Sequence, residues 1–289
     1  MTSLRVDVQE LVRRLLRLVP GAADIDWSTS PAAVWRSDRW GGRFIAHNDL
    51  DDISLDDLLC IDDQKAALMR NTRQFLEGAP ANNALLWGAR GTGKSSLIHG
   101  LLNACHSRGL RLVEVSKESL GGLADIVQVL SGQPYRFILF CDDLSFEAED
   151  ASYKSLKSAL EGSVFRSSDN VLIYATSNRR HLLPEYMTDN EQASFVGGEL
   201  HQGEAVEEKI SLSDRFGLWL SFYPFKQDAY LQVAEYWVGR LAEKHAIDLR
   251  WDEEARAVAL RWALARGVRN GRTAQYFARD WVGGRILER

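Results

Sequence analysis

The stretch ALLWGARGTGKSS, residues 84–96, decides the fold of this chain. A short apolar run leads into a turn that carries Gly88, Gly91 and Gly93, and Lys94 and Ser95 follow directly. Glycine lets the backbone curl so that several N–H groups point inward, and a helix that begins after the turn adds its positive end. A strand, a turn and a helix in this order form a phosphate-binding loop.

The spacing G-x-x-x-x-G-K-S in this loop predicts that the chain binds ATP with Mg²⁺. In this arrangement the Lys94 ammonium reaches the β- and γ-phosphates, and the Ser95 hydroxyl is a ligand of the metal ion. The predicted nucleotide-binding residues are the loop and the first helical positions: Gly88, Ala89, Arg90, Gly91, Thr92, Gly93, Lys94, Ser95 and Ser96.

Strands and helices alternate from this loop onward. Apolar runs predict strands at residues 84–88, 111–116, 136–141, 170–176 and 218–224. Helical patterns occupy residues 56–78, 95–107, 120–130 and 150–161. Continuous apolar strands separated by helices indicate an α/β fold, with a doubly wound parallel sheet covered on both faces.

The remaining segments suggest a division into three parts. Residues 1–54 are predicted to be an N-terminal extension: an amphipathic helix and then a loosely structured, tryptophan-containing linker over residues 20–50. Residues 55–225 are the α/β core, which the polar segment 184–203 interrupts as a mobile insertion. Residues 226–289 contain three helical patterns and no strand, which predicts a small helical lid.

Two aspartates follow the apolar run at residues 136–141. Ligands of a doubly wound sheet bind beyond the carboxyl ends of its strands. Asp142 is therefore predicted to hold Mg²⁺ together with Ser95. Asp143 is predicted to polarise the attacking water, at a position where hydrolytic relatives of this loop usually carry the longer Glu. Glu147 is the second choice for this base.

Three further positions complete the predicted catalytic and nucleotide-sensing set. Asn178 follows a strand and is expected to contact the γ-phosphate or the attacking water, with Thr176 and Ser177 as rival candidates. Arg215 is expected to act as an arginine finger that completes the site of a neighbouring subunit. Arg272, near a helix start in the lid, is expected to reach back to the nucleotide. An intrachain salt bridge is the alternative role for each arginine.

These motifs, in this order, resemble the AAA+ superfamily of ATPases. The segments LLWGARGTGKSS, FILFCDDLSFE, YATSNRRHL and EEKISLSDRFGL resemble, more closely, a bacterial family of predicted AAA+ ATPases called domain of unknown function 815, over roughly residues 55–285. The resemblance implies an ATPase core with strand order 5-1-4-3-2, counted along the core, and a helical lid. One departure is Cys60, which stands where AAA+ proteins often have Gly and lies within the predicted adenine-side segment 59–62.

Bulk properties narrow the function classes. The chain has 289 residues, a net charge of −5 and three well-separated cysteines, which indicates a cytoplasmic protein with reduced thiols and no His/Cys metal site. No apolar run reaches the roughly 20 residues that span a bilayer. We therefore expect an ATP-dependent homo-oligomer that switches or remodels an unidentified protein client. The alternatives are a DNA or RNA loader, since the motifs are also similar to replication initiators and transposase loaders, or a nucleotide-bound scaffold.

Overall fold

The computed structural model describes residues 25–38, 41–48, 52–146, 150–160, 169–180, 182, 194–196, 199–201 and 212–288. The predicted N-terminal amphipathic helix, Glu147 and most of the segment 184–203 lie outside these residues. In the part of the chain that is described, no helix is both long and apolar enough to cross a membrane.

Seven strands form one mixed, mostly parallel sheet. The strands among the described residues are β1 (Ala32–Asp38), β2 (Gly41–His47), β3 (Ala84–Gly88), β4 (Leu110–Val115), β5 (Arg136–Cys141), β6 (Val171–Ser177), β7 (Ser194–Val196), β8 (Glu199–His201) and β9 (Leu218–Phe222). The sheet order is β2-β1-β4-β5-β6-β3-β9, and β7 and β8 form a separate antiparallel pair. The five strands β9-β3-β6-β5-β4 confirm the predicted 5-1-4-3-2 order.

The expectation that residues 20–50 are loosely structured is wrong for the two strands they contain. β1 pairs parallel with β4, and β2 pairs antiparallel with β1. Trp27, Trp35 and Phe44 are at most 7% exposed and pack edge to face with ring centroids 4.8–5.5 Å apart. Burial of these rings stabilises a pairing that the many Asp, Gly and Ser residues of the segment obscure in the sequence.

The described part of the core contains four helices: α1 (Asp62–Leu76), α2 (Lys94–Cys105), α3 (Leu123–Leu130) and α4 (Ala151–Leu160). The predicted helix at residues 56–78 is shorter than expected, because a 3-10 turn at Leu55–Asp57 precedes a break in front of α1. Within this break Cys60 has a φ of +62°, a left-handed conformation that cannot continue a helix. The predicted helix at residues 120–130 likewise begins later, after a 3-10 turn at Lys117–Gly122.

Three helices follow β9: α5 (Gln227–Lys244), α6 (Glu253–Ala265) and α7 (Gly271–Leu287). They share an apolar cluster of their own, in which Tyr230, Ala234, Phe277 and Ala278 are at most 1% exposed. The Asp252 and Asn270 side chains accept hydrogen bonds from the Ala255 and Thr273 amides, which caps α6 and α7. The division of the chain at residues 54 and 225 stays a prediction.

Candidate functional site

A cavity of about 650 Å³ lies where the carboxyl ends of β3, β5 and β6 meet α5 and α7. Cofactor pockets have volumes of roughly 300–1,000 Å³. The predicted site residues that line this cavity are Arg90, Gly91, Thr92, Gly93, Lys94, Ser95, Ser96, Asp142, Asp143, Asn178 and Arg272. Gly88 and Ala89 lie behind the loop, where their carbonyl oxygens accept hydrogen bonds from Lys94.

The turn between β3 and α2 depends on glycine. Gly88 has a φ of +129°, and a Cβ atom at this position would lie 2.0 Å from the Phe222 carbonyl oxygen. Gly93, with a φ of +98°, is the residue in front of α2. Because the first amides of a helix have no acceptor within that helix, the N–H groups of Lys94, Ser95 and Ser96 are available to an anion.

The Lys94 ammonium connects the loop to the end of β6. Its Nζ lies 2.9 Å from Gly88 O, 2.8 Å from Ala89 O and 3.2 Å from Asn178 Oδ1. The residue is 6% exposed, and burial lowers the pKa of its side chain, while the nearby Asp143 and Asp142 carboxylates oppose that decrease. A buried cation with this environment gains stability when a polyanion enters the cavity.

Asp142 lies beside the hydroxyl that was predicted to share a metal ion with it. Ser95 Oγ donates to Asp142 Oδ1 at 2.7 Å, and Thr176 Oγ1 donates to the same oxygen at 2.5 Å. A carboxylate and a hydroxyl at this separation form an oxygen donor set of the kind that Mg²⁺ prefers. The two residues therefore fit a magnesium ion.

Asp143 is held from two directions. Its backbone N–H donates to Thr176 Oγ1 at 2.8 Å, and its carboxylate accepts a hydrogen bond from the Asn178 amide. Of the rival candidates, Ser177 is fully buried and donates to Leu144 O at 2.7 Å, so its hydroxyl serves the core. Asn178 is the residue that contacts both Lys94 and Asp143.

The lid contacts the loop through the start of α7. Arg272 N donates to Gly91 O at 3.1 Å, and Asn270 Nδ2 donates to Arg90 O at 2.8 Å. A Cβ atom on Gly91 would lie 2.7 Å from the Asn270 amide nitrogen, so the close approach requires glycine. The positive charges of Arg272 and Arg90 also contribute to lowering the pKa of Lys94.

Arg215 does not line the cavity of its own chain, as far as the described residues define it. It lies just before β9, partly exposed, and its amide donates to Leu212 O at 3.2 Å. The structure therefore does not bring Arg215 together with the other predicted site residues.

The cavity also has walls that sequence reasoning missed. Beyond Arg272, the residues Gln275, Tyr276 and Arg279 line it from α7, and Val233 and Trp237 line it from α5. The spacing 272, 275, 276 and 279 places these side chains on one helix face, which was the available signal. Leu58 lines the cavity as well, next to Leu59 and Ile61, which belong to the predicted adenine-side segment 59–62.

A sequence profile described as "Protein of unknown function (DUF815)" matches residues 28–285. The chain belongs to the DUF815 family. The match begins in front of β1 and ends within α7, so the DUF815 region includes both additional strands and the lid helices. Among curated proteins, none matches the chain.

Solved structures identify the fold of this DUF815 chain. Thermotoga maritima RuvB, a Holliday junction branch migration motor, superimposes with a TM-score of 0.53 at 18% identity, covering 80% of this chain and 64% of RuvB. The Aeropyrum pernix ORC1 protein, solved in complex with DNA, gives a TM-score of 0.53 at 16% identity, covering 79% of this chain and 60% of ORC1. The DUF815 chain thus has the AAA+ P-loop fold and spans less than two thirds of these relatives.

Proposed function

We propose that this chain binds ATP with Mg²⁺ in the cavity, hydrolyses it, and uses the cycle to switch or remodel a macromolecular partner. The observation that carries the proposal is that Lys94, Asn178, Asp142 and Asp143 face one cavity and form a continuous set of hydrogen bonds with Ser95 and Thr176. The AAA+ fold supports nucleotide-dependent function in general, and the finer roles below are part of the proposal.

Residues 88–96 would bind the phosphates through backbone amides and the Lys94 ammonium. Lys94 would exchange its bonds to the Gly88 and Ala89 carbonyls for bonds to phosphate oxygens. Arg272, which lies next to the loop through its contact with Gly91, would add a second cation on the lid side. Nucleotide binding would thereby connect the core to α7.

Ser95 and Asp142 would hold Mg²⁺. An ion bound by these two residues would neutralise negative charge on the phosphate groups. The Ser95 hydroxyl oxygen, which donates a hydrogen bond to Asp142 in this structure, would be one ligand of the ion. The hydrogen bond from the Thr176 hydroxyl would hold the Asp142 carboxylate in place.

Asp143 would polarise the attacking water and accept its proton as the bond to the γ-phosphorus forms and the bond from that phosphorus to the β-phosphate oxygen breaks. Asn178 would orient the same water, because its amide already contacts the Asp143 carboxylate. Aspartate is one methylene shorter than the usual glutamate, so the reaction requires the water to approach closely.

The partner we favour is a protein. The described surface next to the cavity carries the exposed pair Arg179 and Arg180, with the Arg180 guanidinium 5.7 Å from the Trp87 ring. Two arginines are a small basic surface in a chain whose net charge is −5, whereas nucleic-acid binding generally needs an extended basic surface.

Phosphate release by the wild-type chain and by Asp143→Asn tests the hydrolytic role. We expect release to fall at least about 100-fold in Asp143→Asn while ATP affinity changes little, because the variant keeps the phosphate-binding groups. Asp125→Asn, an exposed aspartate in the first turn of α3, is the matched control and should release phosphate at the wild-type rate. Tight ATP binding without phosphate release by the wild type would favour a scaffold instead.

A further inference from the structure

Thr176 occupies a central position between the two aspartates. It is 1% exposed and lies near the end of β6. Its Oγ1 donates to Asp142 Oδ1 at 2.5 Å and accepts from the Asp143 amide at 2.8 Å. A hydroxyl has one proton to donate, so the proton of Thr176 is used by Asp142.

We infer that Thr176 is a positioning residue that sets the Asp142 carboxylate for the metal ion and the Asp143 backbone for the water. This inference rests on the proposed function of the same site. This positioning role differs from a direct contact of Thr176 with the γ-phosphate or the water, because the Thr176 hydroxyl acts through the two aspartates.

The backbone at Asp143 explains why such a residue is needed. Asp143 has a φ of +50°, a left-handed conformation that residues other than glycine adopt infrequently. Two hydrogen bonds to Thr176 stabilise it: one from the Asp143 amide to Oγ1, and one from the Leu144 amide to the Thr176 carbonyl oxygen, each 2.8 Å long. Together they fix the end of β5 to the end of β6.

The carboxylate at Asp142 is held in a similar way. Oδ1 accepts the hydroxyls of Ser95 and Thr176, which enter from α2 and β6. Among the described residues none donates to Oδ2, which leaves that oxygen to bind the metal ion. Loss of the Thr176 hydroxyl would free the carboxylate to rotate and would weaken the metal site, as removal of outer-shell hydrogen bonds does elsewhere.

The test compares Thr176→Val, which keeps the shape but lacks the hydroxyl, with Thr176→Ser, which keeps the hydroxyl. The measured quantity is the affinity for a non-hydrolysable ATP analogue in Mg²⁺ and in EDTA. The gain is the ratio of the affinity in Mg²⁺ to the affinity in EDTA, and we expect it to be about tenfold smaller in Thr176→Val than in the wild type. In EDTA alone, the affinity of Thr176→Val should lie within about twofold of the wild-type value. Thr176→Ser should keep the gain within about threefold, since its hydroxyl makes the same bonds.

An equal Mg²⁺-dependent gain in wild type and Thr176→Val would overturn the inference, and so would an equal loss of affinity in Mg²⁺ and in EDTA. If thermal unfolding shows that Thr176→Val is not folded, Thr176→Ala takes its place in the same comparison. Absence of any Mg²⁺-dependent gain in the wild-type chain would instead contradict the proposed function, so the two failures are distinguishable.

Discussion

Burial of a single ammonium group gives the site its strongest electrostatic feature. Lys94 is held by two loop carbonyls and Asn178, and burial is the main cause of the lowered pKa of its side chain. A triphosphate brings several negative charges next to this group and favours its protonated form. The pKa of Lys94 should therefore be higher in the ATP complex than in the free chain.

This difference predicts a pH dependence of ATP binding. Because the complex binds the Lys94 proton more tightly than the free chain does, ATP affinity should be constant at neutral pH. It should fall as the pH rises above the lowered pKa of the free chain. Calorimetry between pH 7 and 10 measures the decline and the accompanying proton uptake. Lys94→Arg is the control, since arginine keeps its proton throughout this range. The same decline in Lys94→Arg would refute the assignment to Lys94.

At the residue scale, the sequence predicted those site residues that are neighbours in the chain and form a short motif. Lys94 and Ser95 follow from one short motif, and Asp142 and Asp143 follow from an apolar strand that ends in acids. The role of Thr176 could not be predicted in this way, because it depends on hydrogen bonds between β5 and β6, 33 and 34 positions apart in the chain. A list of polar candidates therefore included Thr176 without indicating which atoms it contacts.

At the scale of elements, the segment in front of α1 is bound by one face of α5. The Asp57 carboxylate, 3% exposed, accepts hydrogen bonds from the Tyr236 hydroxyl and the Ser54 amide and pairs with Arg240. Three residues after Asp57, Cys60 Sγ lies 3.4 Å from Oε1 of Gln232, which is one helical turn before Tyr236. The positions 232, 236 and 240 lie on one face of α5, so this helix fixes the cavity wall at residues 57–61.

The Asp57–Arg240 pair predicts a difference in stability between two arginine variants. Arg240→Met leaves a buried carboxylate without its cation, and we expect the free energy of unfolding to fall by about 2 kcal/mol. Arg256→Met removes an exposed contact to Glu253, 3.8 Å away. This variant should change the free energy of unfolding by about 0.5 kcal/mol or less. Urea unfolding of both variants measures the contrast, which equal effects would contradict.

The elements also show where sequence patterns fail. β5 was predicted to the residue, because the five residues after Arg136 form a continuous buried apolar run. β1 and β2 were missed, because charged and small residues interrupt their apolar runs and their pairing is stabilised by tertiary packing of Trp27, Trp35 and Phe44. α1 begins at Asp62 and not at residue 56, and in front of it Leu58 and Ile61 are buried residues that line the cavity.

At the scale of the whole molecule, the core and the lid together line the cavity. The lid contributes Arg272 and the Asn270 contact to the loop, whereas Arg215 lies outside the cavity. If Arg215 completes the site of a second copy, ATP should promote assembly and hydrolysis should depend on it.

Mixing two inactive variants tests this expectation. Arg215→Ala should bind ATP but release little phosphate, and Lys94→Ala should not bind ATP but still carries Arg215. In a mixture, Lys94→Ala would supply the arginine to sites on Arg215→Ala, so phosphate release should exceed the sum of the separate variants. Phosphate release at the wild-type rate by dilute, monomeric Arg215→Ala would show that the arginine does not act between subunits.

Calorimetric titration of ATP and Mg²⁺ into the wild type, Lys94→Ala and Lys154→Ala tests the central claim most directly. Loss of a charge-assisted phosphate contact costs about 2–5 kcal/mol, so we predict that Lys94→Ala binds ATP about 100-fold more weakly or worse. Lys154→Ala, on the exposed side of α4, should bind as the wild type does. Equal affinities of Lys94→Ala and the wild type for ATP would contradict the assignment of the loop as the phosphate site.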